Sequence, residues 1–260
     1  MITMNHKESV QNQYQNATNL NTRISIHDKY SVNKQGFGNW LTSNYKIEDG
    51  MRVLELGCGS GIMWVGHEDI ISKCAELILT DFSEGMLATA RGNVGDLPNV
   101  TYRQVDIQEI PFEENSFDMV IANMMLYHVP DLQKGLSEVT RVLKPGGRFY
   151  CATGGEHGIM ERVEEMLKPY GVDCHYNLSF SLQNGAGKLA PYFSQVEMLE
   201  YIDALEVTDA KDLVDYVFSG ITIAKQCKLT PEEVRGVFEK NMVNGVLKLP
   251  KEAGTFVCKL

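Results

Sequence analysis

The sequence predicts an α/β fold: a parallel sheet with helices on both faces. Three observations predict it. Between Arg52 and Ala152, short apolar runs alternate with stretches of helical spacing. The first of these runs stops at a cluster of three glycines, as a strand does where it turns into a ligand-facing loop. The chain's 260 residues, 43% hydrophobic and 22% charged, can bury one large domain or a core bearing a smaller cap.

The elements follow in order. Arg52 to Leu56 is the first strand, and Ile62 to Ile71 then reads as a helix. Leu77 to Phe82 is the second strand, after which Ser83 caps a helix carrying Met86, Leu87 and Ala90. Leu97-Pro98-Asn99 turns the chain into a third strand, Val100 to Val105. The fourth, Phe117 to Met124, is continuously apolar from Met119 to Ala122, as a strand buried on both faces should be. Asp131 caps a helix with Leu132, Leu136, Val139 and Leu143 at helical spacing. Pro145-Gly146-Gly147 is expected to end that helix and lead into a fifth strand, Arg148 to Ala152.

Beyond Thr153 the rhythm changes. Gly158 to Tyr170 reads as helical and Asn177 to Ala190 as a long loop. Val196 to Leu205 is a sixth strand, and a helix runs from about Asp209 to Lys225. Thr230-Pro231-Glu232-Glu233 opens another helix, with a cap, a first-position proline and a capping-box acid; its buried stripe is Val234, Val237, Phe238, Met242 and Val246. Thr255 to Leu260 closes the chain as a strand. The expected organisation is an N-terminal helical segment or lid (1–50), a ligand-binding core (51–155) and the rest of the sheet with cap insertions (156–260). The insertions, about 156–192 and 207–250, would emerge at the strands' carboxyl ends, over the crevice.

The strongest chemical signal is Glu55-Leu56-Gly57-Cys58-Gly59-Ser60-Gly61, a strand running into a G-x-G-x-G loop. Glycine tolerates positive φ and lets backbone approach a ligand closely, and free amides at a following helix start favour an electronegative group. A dinucleotide loop would place its third glycine at position 62, where this chain has Ile62. Asp81, about 20 residues beyond the loop, can accept from both hydroxyls of a ribose; taken alone it is an acid at a helix start. Asp106 can accept from an adenine amino group with Ile107 against the ring; taken alone it is a loop carboxylate.

The glycine loop, Leu79-Thr80-Asp81-Phe82-Ser83, Val105-Asp106-Ile107, Phe117 to Asn123 and Leu143 to Phe149 stand in an order that resembles the class I S-adenosylmethionine-dependent methyltransferases. The nearest flavour is the group of quinone-biosynthesis and small-molecule enzymes. The resemblance covers residues 51–154 and implies a Rossmann-like, seven-stranded sheet, mostly parallel with an antiparallel last strand. It implies S-adenosylmethionine as cofactor, S-adenosylhomocysteine as product, and cofactor contacts from Gly57, Cys58, Gly59, Gly61, Asp81, Phe82, Met86, Asp106, Ile107 and Asn123, with Glu55 supporting the loop. It says little of the acceptor.

Methyl transfer from a sulfonium demands in-line alignment in a site that excludes water, and a base for acceptors of high pKa. His128, in Tyr127-His128-Val129-Pro130-Asp131, is the candidate base, since an ordinary imidazole titrates near neutrality; the alternative is a ring that braces the turn before the next helix. Tyr14 or Tyr30 is expected near the cofactor, in an N-terminal segment that also holds Arg23, His27, Phe37 and Trp40. Tyr170, His175, Tyr176, Phe180, Tyr192, Phe193, Tyr216 and Phe218 either line an apolar pocket or form the core of the cap.

A net charge of −10 and a pI of about 5.1 disfavour nucleic acid and anionic membranes as partners. With no apolar run near the roughly 18 residues that span a bilayer, the expectation is a cytoplasmic protein, monomer or homodimer, acting on a small molecule. Six scattered cysteines without a C-x-x-C pair argue for reduced thiols, and no metal-ligand spacing occurs. Two competing readings are a nicotinamide-dependent oxidoreductase and a non-methylating protein that binds the same sulfonium.

Overall fold

The structure is a computed structural model; it describes residues 18–172, 177–219 and 228–260, with side chains from Thr22 onward. One sheet of seven strands has the order β3-β2-β1-β4-β5-β7-β6. The strands are β1 (Arg52–Leu56), β2 (Glu76–Asp81), β3 (Val100–Gln104), β4 (Phe117–Ile121), β5 (Leu143–Gly154), β6 (Gln195–Val207) and β7 (Leu247–Lys259). The pairs from β3 to β5 are parallel, and β7 runs antiparallel to both β5 and β6. The expected mixed sheet is therefore present. The chain winds outward from β1 to β3 and then returns to β4 beside β1, so the crevice between their carboxyl ends is the switch point where such sheets bind ligands.

The helices are α1 (Thr18–Tyr30), α2 (Phe37–Asn44), α3 (Glu68–Ile71), α4 (Glu84–Val94), α5 (Leu132–Val142), α6 (Ile159–Leu167), α7 (Leu182–Leu189), α8 (Ala210–Phe218) and α9 (Pro231–Lys240). The caps are those read from the sequence. Ser83 accepts the Met86 amide, Asp131 accepts the Lys134 amide, and Thr230 forms a capping box with Glu233. Alternation along β1 sends Leu54 and Leu56 to one face, with Phe117, Phe149 and Leu136 of α5. Val53 goes to the other, with Leu41 of α2, Trp64 and Leu77. Both faces are covered, which is why these strands read as unbroken apolar runs.

Several expectations are corrected. Residues 62–71 do not form one helix: a 3-10 turn over Ile62–Trp64 is followed by extended Val65 and by Gly66 at φ 78°, and only Glu68–Ile71 is α-helical. The glycine loop thus leads into a tight turn. Pro145-Gly146-Gly147 lies inside β5, where the register shifts between Phe117 and Met119 of its partner; Gly146 at φ 77° supports the irregularity. Asn177 to Ala190 contains a helix, α7, because Ser181 and Asn184 build a reciprocal capping box that outweighs the segment's glycines. Gly185 within it leaves room for Phe256 of β7, whose ring would lie 2.4 Å from an added Cβ.

Strands β6 and β7 pair from Gln195 and Lys259 as far as Val207 and Leu247, well beyond the earlier reading of the last strand. Their far ends carry a second apolar cluster. Leu205, Val207, Leu247 and Leu249 pack with Ile26 of α1, Val163 of α6, Leu213 of α8 and Phe238 of α9. The helix expected over 209–225 ends at Phe218 among the described residues; 220–227 lie outside them. The segment after α1 is stitched to β6 by a Ser31–Leu205 bridge and the Val32 amide on the Ala204 carbonyl at 2.9 Å. Cys58, Cys74, Cys151 and Cys258 are buried free thiols, and Cys174 and Cys227 fall outside the described residues. Among the described residues no helix is long and apolar enough to cross a membrane.

Candidate active site

The loop after β1 bends through Gly57, Gly59 and Gly61, at φ 71°, 55° and 70°. These are left-handed conformations that side chains disfavour. At Gly57 an added Cβ would stand 3.0 Å from Cγ of Met125, and at Gly61 3.0 Å from Cβ of Ala90 on α4. The loop is pinned to β2. The Cys58 amide donates to the Thr80 carbonyl at 2.8 Å, and the Thr80 hydroxyl to the Glu55 carbonyl at 2.7 Å.

Asp81, at the carboxyl end of β2, closes the loop from the side. One carboxylate oxygen accepts the Gly59 amide at 2.9 Å and the other the Ser83 amide at 2.8 Å. Burial raises its pKa, and the amides of Ser83, Gly59 and Phe82 oppose that rise. A carboxylate has about four acceptor sites, so one remains for a further donor. Phe82 is half-buried beside it, and Met86 is buried in the first turn of α4.

Beneath the loop lies a buried polar cluster. The Glu55 carboxylate, 2% exposed, accepts the Trp64 indole N–H at 2.6 Å. Burial pushes its pKa up to about 7, against the indole's hydrogen bond. Asn123, just past β4, donates from Nδ2 to the Tyr45 hydroxyl at 2.7 Å, while its Oδ1 is buried with no hydrogen-bond partner. Trp64 and Tyr45 were not among the sequence candidates. The indole had a signal, since it follows the glycine loop closely. Tyr45 had none, because 78 residues separate it from Asn123.

These residues fit the implied cofactor. Three left-handed glycines make a cradle that side chains would crowd, Asp81 stands at its edge with acceptor capacity left, and Asn123 Oδ1 is a buried acceptor with no partner. When bound, S-adenosylmethionine supplies a sulfonium-activated methyl group.

The other candidates fall as follows. Asp106 begins a turn in which Oδ1 accepts the Gln108 amide at 2.9 Å and its side-chain amide at 3.0 Å. Ile107 is 5% exposed and packs towards Gly135 of α5, so its side chain faces the core and not a ring in the crevice. His128 ends a 3-10 turn (Leu126–His128), its amide on the Met125 carbonyl at 2.9 Å and its ring 4.5 Å from that of Tyr127. Burial, then the charge of Arg23, lowers its pKa to about 4. It is therefore neutral at physiological pH and a weaker base than an ordinary imidazole. The first insertion reaches this turn, where Ser179 donates its hydroxyl to the Tyr127 carbonyl at 2.9 Å.

Tyr30 does not turn to the loop. Its hydroxyl donates to Asp212 of α8 at 2.6 Å, beside the Lys29–Asp212 ion pair. The end of α1 is thereby tied to the second insertion. Tyr14, His175 and Tyr176 lie outside the described residues. Phe180 and Phe193 are buried in the main core and so pack the cap onto the sheet.

Strand order, the glycine loop and the acid that closes β2 resemble the core of the class I S-adenosylmethionine-dependent methyltransferases. The profile of the family described as "Methyltransferase domain" matches residues 54–151. Demethylmenaquinone methyltransferase of Staphylococcus aureus (strain MRSA252) is 33% identical over 150 residues, 56% of this chain and 60% of that protein. The chain thus matches about 60% of the length of such curated relatives. Among solved structures, the [4+2]-cyclase SpnF superposes with a TM-score of 0.60 at 15% identity, over 97% of this chain and 96% of that one. An S-adenosylmethionine-dependent methyltransferase from Mesorhizobium loti gives 0.53 at 19%, over 87% and 99%. At these identities the structures share the fold.

Proposed function

We propose that this protein transfers the methyl group of S-adenosylmethionine to a small-molecule acceptor. The observation that carries the reading is Asp81 bonded to the amide of Gly59 at the mouth of a three-glycine cradle. The binding roles proposed are Gly57, Cys58, Gly59 and Gly61 for the cofactor's backbone-facing side, Asp81 with Phe82 and Met86 for the ribose, Asp106 for the adenine, and Glu55 with Asn123 for the ammonium. The N-terminal segment and the two insertions act as a cover that excludes water. His128 faces the acceptor as a neutral imidazole. The acceptor class is that named by the demethylmenaquinone methyltransferases, a quinone-type ring compound, acted on by a cytoplasmic monomer or homodimer.

The second reading, a protein that binds the sulfonium without methylating, is kept in view by the likeness to SpnF, a cyclase of the same fold. Calorimetry with S-adenosylhomocysteine and with NAD tests the cofactor: the thioether should bind and the dinucleotide should not. Incubation with methyl-labelled S-adenosylmethionine and a metabolite extract should transfer label to a small molecule. Thioether binding with no label transfer would favour the second reading.

A further inference from the structure

The chain carries 34 aspartates and glutamates against 24 lysines and arginines, yet three arginines and a single glutamate line one cavity. It has a volume of about 610 Å³ and runs along β3, the edge strand of the sheet. The connection from β3 to β4, residues 105–116, contains no helix, where a parallel crossover usually supplies one to cover the strands. The opening is therefore a consequence of the fold. None of the residues that build the glycine-loop cradle lines it.

Each of the three guanidinium groups lies over an aromatic ring. Arg103 stands 4.8 Å from the centroid of Phe112, Arg91 5.1 Å from that of Tyr102, and Arg52 5.0 Å from that of Phe117. Stacking fixes the plane of the fork, so less freedom is lost when it bonds a ligand. Their other partners differ. Arg52 donates to Glu76 at 2.7 and 3.0 Å and to the Ser116 carbonyl at 3.0 Å. Arg91 meets Asp96 at 3.4 Å, with both side chains exposed.

Arg103 is exposed, and its guanidinium makes no hydrogen bond or ion pair with any described residue. Its whole fork of donors is open. Phe112, Ile78 and Val100 give the same cavity an apolar wall. A permanent cation laid flat on one ring, beside that wall, is complementary to an anion carried on a second ring. The volume lies within the roughly 300–1,000 Å³ of small-molecule sites.

We propose that this cavity binds a small anionic ring compound, with Arg103 pairing the anion and Phe112 and the apolar wall receiving the ring. The anion is a phosphate monoester or a carboxylate, the groups whose paired oxygens match a guanidinium fork. The site is separate from the cradle and stands whatever the chain methylates.

The test is calorimetry on the full chain with phenyl phosphate, benzoate, phenol and inorganic phosphate. Phenyl phosphate or benzoate should bind at least about tenfold more tightly than phenol, which lacks the charge, and than inorganic phosphate, which lacks the ring. Which of the two binds tells phosphate from carboxylate. Arg103→Gln removes the charge from a side chain that bonds nothing in the fold, so the urea midpoint should hold while the affinity falls at least about tenfold. Saturation with S-adenosylhomocysteine should leave the ring anion in place. A second measurement needs no variant: in protein labelled with nitrogen-15 arginine, the bound anion should shift the Nε resonance of Arg103. Five results each overturn the proposal: no binding of either ring anion at millimolar concentration, equal binding of phenol or inorganic phosphate, full affinity in Arg103→Gln, displacement by the thioether, or an unmoved Nε resonance.

Discussion

Asp81 and Gly59 are joined across 22 residues of sequence by a 2.9 Å hydrogen bond, from the amide at the apex of the glycine loop to the carboxylate at the end of the next strand. The same carboxylate therefore shapes the cradle and offers its remaining acceptor capacity to whatever occupies it. In Asp81→Ala, affinity for S-adenosylhomocysteine should fall roughly 10- to 100-fold, as expected for losing hydrogen bonds to a charged group. Calorimetry measures it. Unchanged affinity would remove Asp81 from the site.

Gly61 tests the cradle's backbone. An alanine there must hold φ near 70° and bring Cβ to 3.0 Å from Cβ of Ala90. Left-handed backbone costs an L-residue roughly 1–2 kcal/mol, and the contact adds to it. Gly61→Ala should destabilise the protein by about 2 kcal/mol in urea unfolding and weaken cofactor binding as α4 shifts. A fully stable variant would show that the loop is looser than described.

Glu55 makes stability depend on pH in an uncommon direction. Its pKa rises from 4.5 in the unfolded chain to about 7 when folded, so between those values the folded state holds a proton that the unfolded state has released. Stability contributed by this group is present below about pH 4.5 and is lost as pH rises through about 7, by about 3 kcal/mol in all. Glu55→Gln has no such loss, and it should be more stable than wild type near pH 8 and similar near pH 4. Urea midpoints at the two pH values decide it; parallel curves for the two proteins would contradict the buried carboxyl.

His128→Ala should lower methyl transfer at least about tenfold while thioether affinity stays nearly unchanged. Because its pKa lies at about 4, the wild-type pH–rate profile should lack a limb near pH 6.5 from this group. Turnover that survives the substitution would leave the imidazole as a brace for the turn it closes.

Asp203 is the hub that ties the N-terminal segment to the sheet. Its carboxylate, 0% exposed, accepts the Lys251 ammonium at 2.7 Å, the Ser31 hydroxyl at 2.6 Å and the Asn33 amide at 2.9 Å. Asp203→Ala leaves the Lys251 charge buried and should cost about 3–5 kcal/mol. Adding Lys251→Met should recover much of that loss, a coupling that a double-mutant cycle reads directly.

The core was legible because its signals are local. A strand buried on both faces is an apolar run wherever it occurs, and Ser83, Asp131 and Thr230 cap helices within a few residues of themselves. The misreadings were contests between local signals. Gly66 and extended Val65 broke a helix that apolar spacing favoured, and the Ser181–Asn184 box made one where glycines argued for a loop.

By itself the sequence determined the glycine loop, the acid that ends β2, the acid just past β3, and the order of strands and helices, since each depends on neighbours along the chain. Only the tertiary structure decided that Tyr30 turns to Asp212, that Asn123 meets Tyr45, and that one ring nitrogen of His27 is buried without a partner. Those outcomes depend on which distant surfaces exclude water from one another, and desolvation is a property of the assembled molecule that no single segment carries.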